Sequence, residues 1–121
     1  MRRSTRHYLV AGLLVAAGLS RWRRVAVTGD SMLPALAAGD RLLVRRGARA
    51  RVGDMVTVRD PRAPARTLVK RVAATGPLGV VVLGDNAAAS TDSRILGPVP
   101  PESIRGRAVY RYFPDSRRGR L

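Results

Sequence analysis

Val25-Ala26-Val27-Thr28-Gly29-Asp30-Ser31-Met32-Leu33-Pro34 is the stretch on which the fold turns. The apolar run Val25–Val27 predicts a strand, Gly29-Asp30 a turn, and Pro34 keeps the strand from simply resuming. That arrangement holds one hydroxyl, Ser31, at the exposed tip of a rigid bend, where a nucleophile has to sit. Most Gly-Asp-Ser sequences are ordinary turns whose serine bonds nearby backbone. A chemical role for Ser31 therefore needs a partner elsewhere in the chain.

A census of bases narrows that partner to one side chain. Of 23 basic residues only Lys70 is a lysine, the one histidine is His7, and there is no cysteine. Arginine keeps its proton in proteins and cannot serve as a base. Cys-His chemistry is excluded, and a Ser-His-Asp triad would have to recruit His7 from the N-terminal leader. If a side-chain amine activates Ser31, it is Lys70. The lack of cysteine also rules out a disulfide framework and thiolate zinc sites. No metal or other cofactor is expected.

With 121 residues, the chain has material for one small core, and 45% apolar against 4% aromatic residues predicts a core of Val, Leu and Ala. The formal net charge of +15 invites a nucleic-acid reading. Against it, the arginines are scattered along the chain, and few aromatics are available for bases to stack on. Wholesale replacement of lysine by arginine, beside much Ala, Gly, Val and Pro, reads as composition bias. Nucleic acid is not expected as a partner; attraction to anionic membrane or acidic partners is compatible with the charge.

Residues 1–24 form a basic and apolar N-terminal segment. Tyr8 to Leu19 is an apolar run of 12 residues, preceded by Arg2, Arg3 and Arg6 and followed by Arg21, Arg23 and Arg24. A helix of that length rises about 18 Å, against about 30 Å of hydrocarbon. Tyr8 and Trp22 stand where interfacial aromatics belong, but both flanks are positive and define no orientation. Three readings compete: a short membrane anchor, an uncleaved signal-like segment, or an apolar helix packed on the domain. Membrane attachment is the preferred one; a cytoplasmic location is the alternative.

The body, residues 25–114, is a series of short β-prone runs punctuated by Gly39-Asp40, Gly53-Asp54 and Gly84-Asp85. Strands are expected at Val25–Val27, Arg41–Arg46, Met55–Arg59, Thr67–Ala74, Val80–Leu83 and Ala108–Phe113. Single helical turns are expected at Met32–Ala37 and Pro101–Ile104. This spacing predicts a mainly β, antiparallel, barrel-like domain, with residues 115–121 as a basic disordered tail. In Thr67–Ala74, alternation puts Leu68, Lys70 and Val72 on one face. If that face is the inner one, burial depresses the lysine pKa; otherwise Lys70 is an edge-strand lysine reaching for solvent.

Three stretches in order resemble the successive boxes of bacterial type I signal peptidases. They are Gly29–Pro34, Val69-Lys70-Arg71-Val72, and Leu83-Gly84-Asp85-Asn86 with Ser90–Val99. Between them, Gly39–Arg49 and Gly53–Val56 are most similar to a compact subgroup of maturation proteases for nickel-type superoxide dismutase. The resemblance implies a β-rich signal-peptidase or repressor-peptidase fold and a Ser/Lys dyad. Ser31 would be the nucleophile, Lys70 the general base, and Ser90 the group orienting Lys70. Asp92 with Arg94, and Asp85 with Arg71, would be bracing salt bridges. The Ser31 backbone N–H would supply part of the oxyanion hole. Three features depart from the family pattern. Gly29 replaces a serine whose hydroxyl often completes that hole. The Pro-Gly-Asp element that often follows the Lys-Arg box is missing, with Gly76-Pro77-Leu78-Gly79 near its place. There is no room between Arg71 and Gly84 for an accessory domain.

The expected function is a serine endopeptidase that removes an N-terminal leader or propeptide from a precursor protein. The preferred precursor is a nickel superoxide dismutase. A general signal peptidase for exported precursors is the alternative. An autoproteolytic repressor-type peptidase ranks lower, since nothing provides a helix-turn-helix domain. A non-catalytic basic interaction domain, or a nucleic-acid-binding barrel, is the reading from another class.

Overall fold

The computed structural model describes residues 21–47 and 49–121. The expected apolar N-terminal helix, and His7 with it, lies outside the described residues. Seven strands make one antiparallel sheet: β1 Trp22–Ala26, β2 Arg41–Arg46, β3 Met55–Arg59, β4 Thr67–Gly76, β5 Gly79–Leu83, β6 Ile104–Phe113 and β7 Gly119–Arg120. Their order is β1-β2-β6-β3-β4-β5, with β7 added on β6. One short helix, α1 (Ser93–Leu96), follows β5, and the chain between β1 and β2 makes a single turn closed by Leu36 N–H donating to Met32 O.

The long connection from β5 to β6 lets β6 insert between β2 and β3, and this joins the two halves of the sheet. Met55, Val56, Thr57 and Val58 of β3 are all buried, so both faces of that strand are covered. One cluster packs Val27, Met32, Leu36, Leu42 and Val44 against Met55 and Ala108; the other packs Val56, Val58 and Val72 against Val80, Val82 and Val99. The apolar side chains are β-branched or slender, as the low aromatic content predicts.

Among the described residues the sheet does not close through a strand pair, yet its two ends meet. Asn86, just past β5, donates its backbone N–H to Ser31 O just past β1 (2.8 Å). The sheet is thus curled, in keeping with the expected barrel-like form. Strand boundaries differ from expectation at β1, which begins at Trp22, and at β6, which begins at Ile104. The C-terminus differs more. Asp115–Arg117 form a 3-10 turn and Gly119–Arg120 pair with β6, where a disordered tail was expected. The reason is a buried acid, Asp40, which takes an ion pair from Arg117 (3.2 Å) as well as one from Arg111 (3.1 Å).

Candidate active site

Ser31 stands on a bend held from both sides. Val27 before it and Met32 after it are core residues at 5% and 1% exposure. Gly29 has φ +73°, a left-handed conformation that a side chain rarely adopts. The turn geometry thus asks for glycine where many relatives of the resembled family carry serine. The Asp30 carbonyl accepts from Asn86 Nδ2 (3.1 Å) and the Ser31 carbonyl from Asn86 N–H, so one asparagine clamps both peptide groups. Among the described residues the Ser31 backbone N–H donates to no protein acceptor, which leaves it available to a ligand oxygen.

Lys70 comes from the inner face of β4, where it opposes Val56 and is followed two residues on by Val72. It is 3% exposed, against 0% and 1% for those valines. Burial pushes its pKa down from the ordinary lysine value. The nearby Asp92 works against that shift, and Arg94, Arg66 and Arg62 add to it.

The lysine amine donates to Ser90 Oγ (3.0 Å), and Ser90 Oγ lies 2.6 Å from Asp92 Oδ2. Burial alone would raise the Asp92 pKa. Hydrogen bonds from Arg94, Ser90 and the backbone N–H groups of Gly84 and Arg94 overcome this and hold it far below the usual carboxylate range. An ionised Asp92 can only accept, so the single Ser90 proton points at it. Lys70 must then be the donor in its contact with Ser90. A neutral amine held in this way has its lone pair directed away from Ser90.

The remaining braces lie around this line. Arg94 spans Asp92 (2.6 Å) and the Gly84 carbonyl (3.0 Å), and Arg71 pairs in two-pronged fashion with Asp85 (2.8 and 2.9 Å) and reaches the Gly53 carbonyl. Gly84 is the tightest point. A Cβ there would come within 2.6 Å of Ser90 Cβ and 2.7 Å of the Ser31 carbonyl. In the sequence Gly84 and Asn86 stand out only as members of the Leu83–Asn86 box and of a Gly-Asp-Asn turn, and neither signal says what packs on them.

Ser31 and Lys70 line the same cavity, of about 260 Å³, between residues 26–32 on one side and residues 66–70 on the other. β5 pairs with β4 only from Arg71 onward, so among the described residues the outer edge of Thr67–Lys70 is unpaired where it borders this cavity. The cavity therefore offers a hydroxyl, a buried amine, a free backbone donor and an open strand edge. Among the described residues no group of three or more His, Cys, Asp or Glu side chains could hold a metal ion.

Comparison with known proteins gives the same direction from outside the structure. The family described as "Signal peptidase, peptidase S26" matches residues 2–81 and 77–113. A mitochondrial ATP-independent inner membrane protease subunit 1a of Arabidopsis thaliana is 38% identical, with 78% of this chain and 73% of the relative covered. A protein named probable signal peptidase I-1 from Synechocystis is 29% identical over the same shares, 78% and 73%. The human mitochondrial inner membrane protease subunit 1 is 31% identical, covering 76% of this chain and 70% of its own.

Proposed function

The chain belongs to the signal peptidase family, peptidase S26, and from that premise we propose that Ser31 is its nucleophile and Lys70 its general base. Membership makes it a serine endopeptidase and a remover of leader sequences from precursor proteins. The observation that carries the dyad is the one lysine of the chain, buried in the wall of the cavity that Ser31 lines, with its amine held by Ser90.

The precursor lies extended along the open edge of Thr67–Val69, adding a strand by backbone hydrogen bonds. The neutral Lys70 amine takes the Ser31 proton as Oγ attacks the scissile carbonyl. The resulting oxyanion accepts from the Ser31 backbone N–H. The Lys70 ammonium returns the proton to the leaving amine, the C–N bond breaks, and an acyl-enzyme remains. Water, deprotonated by Lys70, attacks that ester; the proton returns to Ser31 and the leader is released as a carboxylic acid. Ser90 is a positioning residue, because a lysine stem without an anchor has too many rotamers to stay aligned. Arg71 with Asp85, and Arg94 with Asp92, hold the β4–β5 frame under it.

On the substrate, the finer reading is a precursor of nickel-type superoxide dismutase, and it rests on the likeness of residues 39–49 and 53–56 to that subgroup. The relatives favour a broader leader peptidase working at a membrane. Among the described residues no helix is long and apolar enough to cross one; attachment through residues 8–19 rests on their sequence.

Incubation of the purified protein with each class of precursor, followed by sequencing of the new N-termini, separates the two substrates. Ser31→Ala and Lys70→Arg should each reduce cleavage by about 1,000-fold or more while folding is retained. Arginine keeps the charge but cannot accept the proton, so wild-type turnover by Lys70→Arg would refute the base.

A further inference from the structure

Arginines that look scattered in the sequence are gathered by the fold. Arg21, Arg45, Arg46, Arg49, Arg51 and Arg107 line one open cavity of about 580 Å³, and no carboxylate lines it. The register explains the convergence. β1 meets β2 at Trp22 opposite Arg45, Arg46 N–H donates to Arg21 O (2.7 Å), and β2 meets β6 with Arg45 opposite Arg107. Arg49 and Arg51 arrive on the connection from β2 to β3. Among the described residues none of the six takes part in a salt bridge.

Like charges directly opposite each other on neighbouring strands repel. The Asp54 carboxylate meets the Arg51 backbone N–H rather than a guanidinium, so six guanidinium groups around one cavity are a standing cost unless an anion with several oxygens lies among them. Guanidinium forks match phosphate oxygens two at a time. This cavity lies at the start of β1, whereas Ser31 lies beyond its end, so it is separate from the peptidase cavity.

We infer that this cavity takes the phosphate headgroups of anionic phospholipids and seats the domain on a membrane surface. Two further observations choose lipid over other phosphates. The apolar run Tyr8–Leu19, for which membrane attachment is the preferred reading, ends two residues before Arg21 in the sequence. Trp22, the cross-strand partner of Arg45, is 41% exposed, and Val52, next to Arg51, is 64% exposed. An exposed tryptophan beside arginines suits the headgroup layer, where the ring meets apolar chains and the cations meet phosphate.

The test is co-sedimentation of the full chain with vesicles of phosphatidylcholine alone, or with about one-third phosphatidylglycerol, with circular dichroism to report folding. Each arginine near an anionic surface contributes roughly a factor of five in binding, so Arg45→Gln/Arg49→Gln/Arg51→Gln should bind the anionic vesicles about 100-fold less. Binding to neutral vesicles should be unchanged, and high salt should erase the wild-type preference. Wild-type binding of anionic vesicles by the folded variant overturns the inference. Displacement by inorganic phosphate at matched ionic strength overturns it in favour of a free-phosphate site. RNA binding lost in the variant while lipid binding persists overturns it in favour of nucleic acid. If the triple variant does not fold, Arg49→Gln alone carries the test, with about a fivefold loss expected. None of these readouts uses peptide cleavage, so they stand or fall apart from the dyad.

Discussion

Lys70 shows what one residue contributes and what it costs. Because burial lowers its pKa from 10.5, the folded chain binds that proton less readily than the unfolded chain does. Stability therefore rises with pH from the folded pKa up to the ordinary lysine value, where the unfolded chain also loses its proton. Lys70→Met removes the buried amine. It should raise Tm at neutral pH by about 4 °C or more, with the gain shrinking as the pH nears 10.5. Calorimetry at pH 7 and again near pH 10 reads this, and an equal gain at both would mean that charge burial is not the cause. Asp92 drives stability in the same direction with pH, but its ionised form stabilises the fold at neutral pH, where burying the Lys70 amine is a cost. The depressed Asp92 pKa contributes stability above 3.8 that fades as the pH falls below that value.

At the scale of elements, the site is the meeting of two turns. The bend after β1 carries Ser31, the chain after β5 carries Gly84 and Asn86, and they are in contact. Gly84→Ala would drive a methyl group into Ser90 and against the Ser31 carbonyl. Overpacking of this kind costs about 1–3 kcal/mol of stability. The effect on cleavage should be larger, about 100-fold in kcat, since a shift near 1 Å misaligns nucleophile and base. Comparing kcat with the urea midpoint for the variant checks this; a loss of stability without loss of kcat would remove Gly84 from the site. The strands β2 and β3 were legible residue for residue, because alternation and Gly-Asp turns are local signals. The extra length of β4 and of β6 was not, since pairing with neighbours rather than propensity decides where those strands stop.

For the molecule as a whole, Asp40 ties the chain between β1 and β2 to β6 and to the C-terminus. It is 2% exposed and accepts from Arg111, Arg117 and the Ala37 N–H. Asp40→Ala leaves Arg111, itself mostly buried, with the Ala35 and Arg117 carbonyls but no carboxylate, and should destabilise by about 3 kcal/mol. Deleting residues 115–121 should also lower the urea midpoint, since it removes Arg117 and β7. A midpoint unchanged by that deletion would mean that these residues are a passive tail. The sequence offered no hint of this lock, because Asp40 and Arg117 are remote in the chain and each reads locally as part of a turn or a basic end.

Composition, turn signals and the presence of a single lysine were enough to determine a small antiparallel β domain and to reduce the possible amine bases to one. These are local or countable properties, and no contact between distant residues is needed to read them. Tertiary structure alone decided that the face carrying Lys70 is the inner one, that Asn86 and Gly84 press on the Ser31 bend, and that arginines far apart in the chain share one cavity. All three depend on which strands pair and in what register, and that is a property of the whole sheet.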